Sequence, residues 1–286
     1  MPIEVRKLTH VYMPGTPFEK KALDEVSFTV RDGEFIAVIG HTGSGKSTLI
    51  MHLNALLKPT SGDVLIDGLN VTDKAVSLRD IRRRVGLVFQ YPEYQLFEET
   101  VRADVMFGPK NVGLSESEAS DRAAEALRLV GLKDESLWDK SPFELSGGQK
   151  RRVAIAGVLA MNPTTLILDE PTAGLDPRGR RDLIELMRSI NARGTTLIMV
   201  SHSMADVAAL CGRALVMCAG RLVRDAKPSD IFADDELMRE ASLALPPCAA
   251  LSKALREAGF DGIPAGLSDR EALTRAILKC LKGVDA

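Results

Sequence analysis

The chain has 286 residues, 45% of them hydrophobic and 27% charged, with a formal net charge of −2. That composition is close to the globular average and supplies ample core material, so it excludes a disordered chain and an overall basic field for nucleic acid. Four cysteines (Cys211, Cys218, Cys248, Cys280) stand without a CxxC pair or a histidine cluster, which argues against zinc and against a disulfide framework and fits a reducing cytosol.

In chain order, IEVRKLTHVYMPG reads as an exposed strand that breaks at Pro14, Gly15 and Pro17. VSFTVRDGEFIAVIG holds two β-rich runs around an Asp32-Gly33 turn, and FIAVI is apolar throughout, as a strand covered on both faces is. KSTLIMHLNALL places Leu49, Ile50, Leu53, Leu56 and Leu57 at helical spacing, with Pro59 as the expected stop. GDVLIDGLNV reads as a hairpin, RDIRRR (79–84) as a solvated helix face and RVGLVFQ as a strand. SESEASDRAAEALRLVG opens with a capping box of Ser115 and Glu118 and closes on Gly131. TTLILDE is a second buried strand, RGRRDLIELMRSINARG a helix, TTLIMVSH a third buried strand and RALVMCAGRLV a late hairpin.

Buried strands alternating with helices predict an α/β fold around a mostly parallel core sheet. The hairpins add an antiparallel β subdomain, and the insert over about 91–160 is largely helical. Around Pro246-Pro247 the character changes to two candidate helices, AALSKALREAG and SDREALTRAILKCLKG, the second with a capping box of Ser268 and Glu271. The expected division is a main domain, 1–240, and a small helical C-terminal domain, 241–286. So short a tail rarely buries enough surface to stand alone, so it packs on the main domain or on another subunit. No apolar run approaches the ~18 residues of a membrane helix, and MPIEVRKLTH lacks the apolar stretch of a signal peptide. The expectation is a cytoplasmic protein, free to dock onto a membrane component.

Gly40, His41, Thr42, Gly43, Ser44, Gly45, Lys46 and Ser47 match G-x-x-x-x-G-K-[ST] between a buried strand and a helix that continues with Thr48. Glycines let backbone N–H groups turn inwards around phosphates, and the helix points its positive dipole end at them. Lys46 can neutralise the β- and γ-phosphates, and the Ser47 hydroxyl can ligate Mg²⁺. Asp169 and Glu170 sit at the carboxyl end of a parallel strand, where ligands collect in open α/β sheets. Asp169 is assigned to the metal, and Glu170 to the general base that polarises the attacking water. Leu145, Ser146, Gly147, Gly148 and Gln149, followed by Lys150, Arg151 and Arg152, precede a helical run and form a second anion site without a lysine. Two cradles in one chain are explained economically by a head-to-tail dimer, each chain presenting Ser146 to nucleotide held on the other's Lys46.

Together GHTGSGKST, VFQYPEYQLF, ELSGGQKRR, LILDEPTAGLDP and VSH resemble the nucleotide-binding subunit of an ATP-binding cassette (ABC) transporter, across residues 1 to about 240. The resemblance implies a P-loop NTPase fold of the ABC ATPase type with a helical signature subdomain, and ATP and Mg²⁺ as the nucleotide and metal. It implies that Tyr12 stacks on adenine, that Gln90 touches Mg²⁺ and the water while sensing the membrane partner, and that His202 contacts the γ-phosphate. It also implies that Ala173 to Asp176 cross the dimer interface and that Lys150 to Arg152 lie beside the signature helix. PGTPFEKKAL, FQYPEYQLFEETVRADVMFGPKN and the helical tail narrow the resemblance to the second (A-prime) ATPase subunit of bacterial energy-coupling factor transporters, which take up vitamins and metal ions.

The partners so implied are a second ATPase subunit (a related heterodimer partner, or a second copy), a transmembrane coupling protein and a membrane substrate-binding component, with no nucleic acid. The implied location is peripheral, on the cytoplasmic face of the cell membrane. Tyr91 to Phe97 would form part of the groove for the coupling protein, with Pro92 and the aromatics gripping a helix and Glu93 pairing with its basic side chain. Two other readings stay open here: the ATPase of another ABC importer or exporter, and a soluble cassette ATPase of translation or DNA repair. The single signature set and the lack of zinc cysteines or a heptad array weigh against the soluble one.

Overall fold

The computed structural model describes residues 3–284. The chain opens with β1 (Ile3–Tyr12) and β2 (Lys20–Val30), crosses to β3 (Phe35–Ile39) and turns through the glycine-rich loop into α1 (Lys46–Leu53). The hairpin β4 (Ser61–Ile66) and β5 (Leu69–Asn70) follows, and α2 (Leu78–Arg84) leads to β6 (Val85–Val88). Next come α3 (Val101–Asn111), α4 (Glu116–Leu129), α5 (Gly147–Leu159), β7 (Thr165–Asp169), α6 (Pro177–Ala192), β8 (Thr196–Val200) and α7 (Met204–Leu210). A second hairpin, β9 (Arg213–Cys218) and β10 (Arg221–Ala226), precedes α8 (Pro228–Phe232), α9 (Asp235–Glu240), α10 (Pro247–Glu257) and α11 (Arg270–Val284).

Among the described residues these strands form a six-stranded sheet, ordered β10-β9-β3-β8-β7-β6, and a four-stranded sheet, ordered β2-β1-β4-β5. In the larger sheet only the β10–β9 pair is antiparallel. Side chains alternate across a strand, so each apolar run feeds two cores. Ala37, Ile39, Leu166, Leu168, Leu197 and Met199 face the helical side with α3 to α9. Ile36, Val38, Ile167, Ile198 and Val200 face α1 and the antiparallel sheet. Burial on both faces explains why FIAVI and TLIL carry no polar alternation.

Some local expectations change. The two runs around the Asp32-Gly33 turn part company, because β2 and β3 join different sheets. The first strand is central in its sheet rather than exposed, and Ile3, Val5 and Leu8 are buried. The helix after the loop stops at Leu53, well before Pro59: Ala55 takes a left-handed φ of 53°, and the Asn54 amide donates to the Val85 carbonyl. A buried polar partner from another strand ends it, which no local signal announces. At the last helix, Asp269 rather than Ser268 is the cap: its carboxylate accepts from the Ala272 N–H at 2.7 Å. The box at Ser115 and Glu118 forms as read.

The tail packs back on the main body. Ala249 joins the core on the helical side, and Lys253 reaches Asp235 at 2.6 Å. A Cβ on Gly266 would lie 2.1 Å from the Ser229 carbonyl of α8, which leaves no room for a side chain.

Candidate functional site

Parallel pairing puts the carboxyl ends of β3, β8, β7 and β6 on one edge of the sheet. The loop 40–45 leaves β3, His202 follows β8, Asp169 and Glu170 end β7, and Gln90 follows β6. Since β8 lies between β3 and β7, His202 enters between the loop and the carboxylates.

The loop is closed from behind by the chain itself. Gly40 and Gly45 take φ of 146° and 104°, and a Cβ there would meet the Met217 carbonyl at 2.2 Å or the Ala22 carbonyl at 2.7 Å. Gly43 also lies at positive φ, 82°, but with open space around it. The β9–β10 turn props the loop, with Gly220 N–H donating to the Ser44 carbonyl at 3.0 Å. The Ser44 hydroxyl is fully buried with no hydrogen-bond partner. Lys46 folds back so that Nζ donates to the carbonyls of Gly40 (2.8 Å) and His41 (2.9 Å). Burial pulls its ammonium below the usual lysine range, while Glu170 and Asp169 favour its charge. A glycine cradle with one half-buried cation fits a polyphosphate. Ser47 is exposed at the start of α1, and the Thr48 hydroxyl lies 3.2 Å from that of Tyr12.

Asp169 is pushed up to about 6 by burial and by the neighbouring Glu170, against the pull of Lys46. Such a carboxyl favours a nearby cation. The oxygen donors here, from Ser47, Asp169 and Gln90, suit Mg²⁺, which keeps waters and takes phosphate oxygens. Among the described residues no group of three or more His, Cys, Asp or Glu offers a transition-metal cage. Glu170 takes a left-handed φ of 48°, and its N–H donates to the Val200 carbonyl at 3.0 Å. Its carboxylate accepts from His202 Nδ1 at 2.8 Å and from the His202 N–H at 3.3 Å. The loop beyond it is anchored by Asp206, 1% exposed, whose carboxylate accepts from the Thr172 hydroxyl (2.8 Å) and from Arg180. Sequence reading missed this clamp, because its partners lie 26 and 34 positions away.

In LSGGQ, the Ser146 side chain accepts from the Gln149 N–H and Gln149 returns the bond, a capping box that starts α5. Gly147 and Gly148 are exposed. Lys150 to Arg152 are part of α5 itself rather than beside it. Arg151, 4% exposed, forms a two-pronged pair with Glu93 (2.9 and 3.0 Å) and donates to the carbonyls of Pro171 and Ala173. This corrects the expectation for Glu93, whose basic partner is Arg151 of the same chain. A desolvated guanidinium needs a carboxylate and carbonyls wherever the fold supplies them. Around this pair the exposed aromatics Tyr91, Tyr94 and Phe97 remain on the surface, with Pro92 buried beneath them. A depression of about 780 Å³ runs from Tyr91 and Tyr94 past Ser146 and Gln149 to Asp176.

The ABC transporter family model matches residues 23–173. The energy-coupling factor transporter ATP-binding protein EcfA2 of Clostridium perfringens is 56% identical over 91% of this chain and 92% of its own length. Among solved structures, cbiO1 from Clostridium perfringens, part of the ABC transporter complex cbiONQ, superposes with a TM-score of 0.72 at 39% identity, covering 88% of this chain and 98% of that one. A dimeric ATP-binding cassette in a post-hydrolysis state, bound to ADP and Pi, gives a TM-score of 0.69 at 31% identity over 79% of this chain and 98% of that one. The loop, the paired carboxylates and LSGGQ thus stand in a chain that belongs to the ABC transporter ATPase family, alongside the energy-coupling factor ATP-binding proteins.

Proposed function

We propose that this chain is the ATP-hydrolysing subunit of an energy-coupling factor importer, driving uptake of vitamins or metal ions from the cytoplasmic face of the membrane. The observation that carries this is the meeting of Asp169, Glu170 and His202 at the strand ends beside the Lys46 loop. In this reading Gly40 to Thr48 hold the ATP phosphates, Lys46 sets their charge and Tyr12 stacks on the base. Ser47, Asp169 and Gln90 would hold Mg²⁺, which when bound neutralises charge developing on the phosphates. Glu170 takes the proton of the attacking water, and His202 holds that carboxylate in place and reaches the γ-phosphate.

Leu145 to Gln149 close on nucleotide held by a second ATPase subunit, with Ala173 to Asp176 crossing the interface. The ADP-bound dimeric cassette of similar fold supports that arrangement. Gln90 and the 91–97 surface pass closure to a transmembrane coupling protein, and a separate membrane component selects the solute. Among the described residues no helix is long and apolar enough to cross a membrane, which fits peripheral attachment. Residues 1–240 act as the motor domain and 241–286 as an appended helical domain.

Glu170→Gln in the assembled transporter tests the reading: turnover should fall roughly 100-fold or more while ATP still binds and the dimer stays closed. Turnover at the unmutated rate would remove Glu170 from its role. Detergent pull-down with mass spectrometry should recover two unlike ATPases and a small integral coupling protein; a homodimer on large permeases would point to another ABC importer.

A further inference from the structure

Beneath Tyr12 lies a buried histidine pair that the hydrolytic machinery does not use. His52, fully buried, is on the inner face of α1, and His10, 8% exposed, is on β1 two residues before Tyr12. His52 Nδ1 is 2.7 Å from the Thr48 carbonyl, so Nδ1 carries the proton and donates to it. His52 Nε2 is then an acceptor, and it lies 3.2 Å from His10 Nδ1. His10 Nδ1 also faces the Lys58 carbonyl at 3.3 Å, so it carries a proton shared between the two acceptors. The contact forms only when the His52 ring is neutral and its Nε2 free to accept, and burial accordingly holds His52 below the usual imidazole value.

The pair closes a ring of contacts. The His10 ring packs edge-on against Tyr12, with centroids 4.5 Å apart and planes at 79°. Tyr12 Oη lies 3.2 Å from Thr48 Oγ1, and the Thr48 carbonyl returns to His52. Thr48 is thereby held at both ends, in the first turn of the helix whose start carries Lys46 and Ser47.

We infer that His10 and His52 are positioning residues for nucleotide binding: they lock the Tyr12 ring of the antiparallel sheet to the phosphate-binding helix, fixing the distance between base and phosphate subsites. This rests on the reading that Tyr12 stacks on the base. A preset spacing lowers the ordering cost of binding, so its loss shows in KM for ATP rather than in kcat.

The test is a double-mutant cycle in the assembled transporter, with kcat and KM for ATP read alongside the melting temperature. Tyr12→Ala should raise KM about tenfold with kcat little changed. His10→Phe keeps a ring against Tyr12 but removes the donor, and should raise KM several-fold. His10→Asn, which restores an N–H near the Nδ1 position, should recover most of that loss. In Tyr12→Ala the His10→Phe effect should vanish. A full additional loss there, an unchanged KM in His10→Phe, or no recovery by His10→Asn would overturn the inference and leave the base assignment standing. An unchanged KM in Tyr12→Ala would overturn both.

Discussion

Two glycine-bearing turns start helices in this molecule, and their glycines answer to different demands. In the loop of residues 40–45, Gly40 and Gly45 are required by the chain itself. Each sits at positive φ, and a side chain there would strike a backbone carbonyl of β9 or β2. In the signature turn, a Cβ built on Gly147 or Gly148 meets nothing within 4 Å, and neither residue lies at positive φ. Glycine weakens a helix by about 1 kcal/mol relative to alanine, so α5 gives up stability at its first turn for no reason internal to this chain. The proposed function supplies one from outside it: backbone here would approach nucleotide on a neighbouring subunit. One turn is shaped by its own chain; the other, under the proposed function, is shaped for a second subunit.

The sharpest break of that contrast is Gly40→Ala. Forced backbone plus a collision should cost about 3 kcal/mol or more, seen as a large drop in melting temperature with nucleotide binding lost. A wild-type melting curve would end the claim that the chain needs this glycine.

Arg151→Met probes what seats the signature helix. It leaves Glu93 largely buried and unpaired, which should cost about 3 kcal/mol in thermal stability. Arg151→Lys should fall between, since one ammonium cannot serve Glu93 and two carbonyls at once.

Gly147→Ala separates function from fold. Hydrolysis by the assembled complex should fall on the order of 100-fold, while the isolated subunit melts no lower than the parent protein. Intact hydrolysis would mean that nothing needs to approach this turn.

The smallest effect supplies the control, a helix start that serves only the fold. Asp269→Ala should cost about 1 kcal/mol as a lost cap, and Ser268→Ala within about 0.5 kcal/mol, both measured by denaturant unfolding.

The contrast also marks what was legible beforehand. The glycine-rich loop, the buried strands and the Ser115 cap depend on neighbours within a few positions, and all were readable. The stop of α1 at Leu53 was not, because it depends on the Val85 carbonyl, 31 positions away. Nor was the fate of Glu93: the sequence shows a carboxylate among aromatics, and only packing brings Arg151 to it across 58 positions. The cap at Asp269 failed by a single residue, since Ser and Asp side by side both suit the role.

Local chemistry in the sequence alone determined the glycine-rich loop and the two-sided burial of the core strands, while the resemblance of its motifs pointed to the ABC ATPase family. Its information is short-ranged: a period, a cap, a conformation that only glycine tolerates. The tertiary structure alone decided that β2 and β3 part into different sheets, that His202 enters between loop and carboxylates, and that His10 meets His52. A buried polar atom must be satisfied wherever the fold can supply a partner, and which partner arrives is set by strand order rather than by sequence distance.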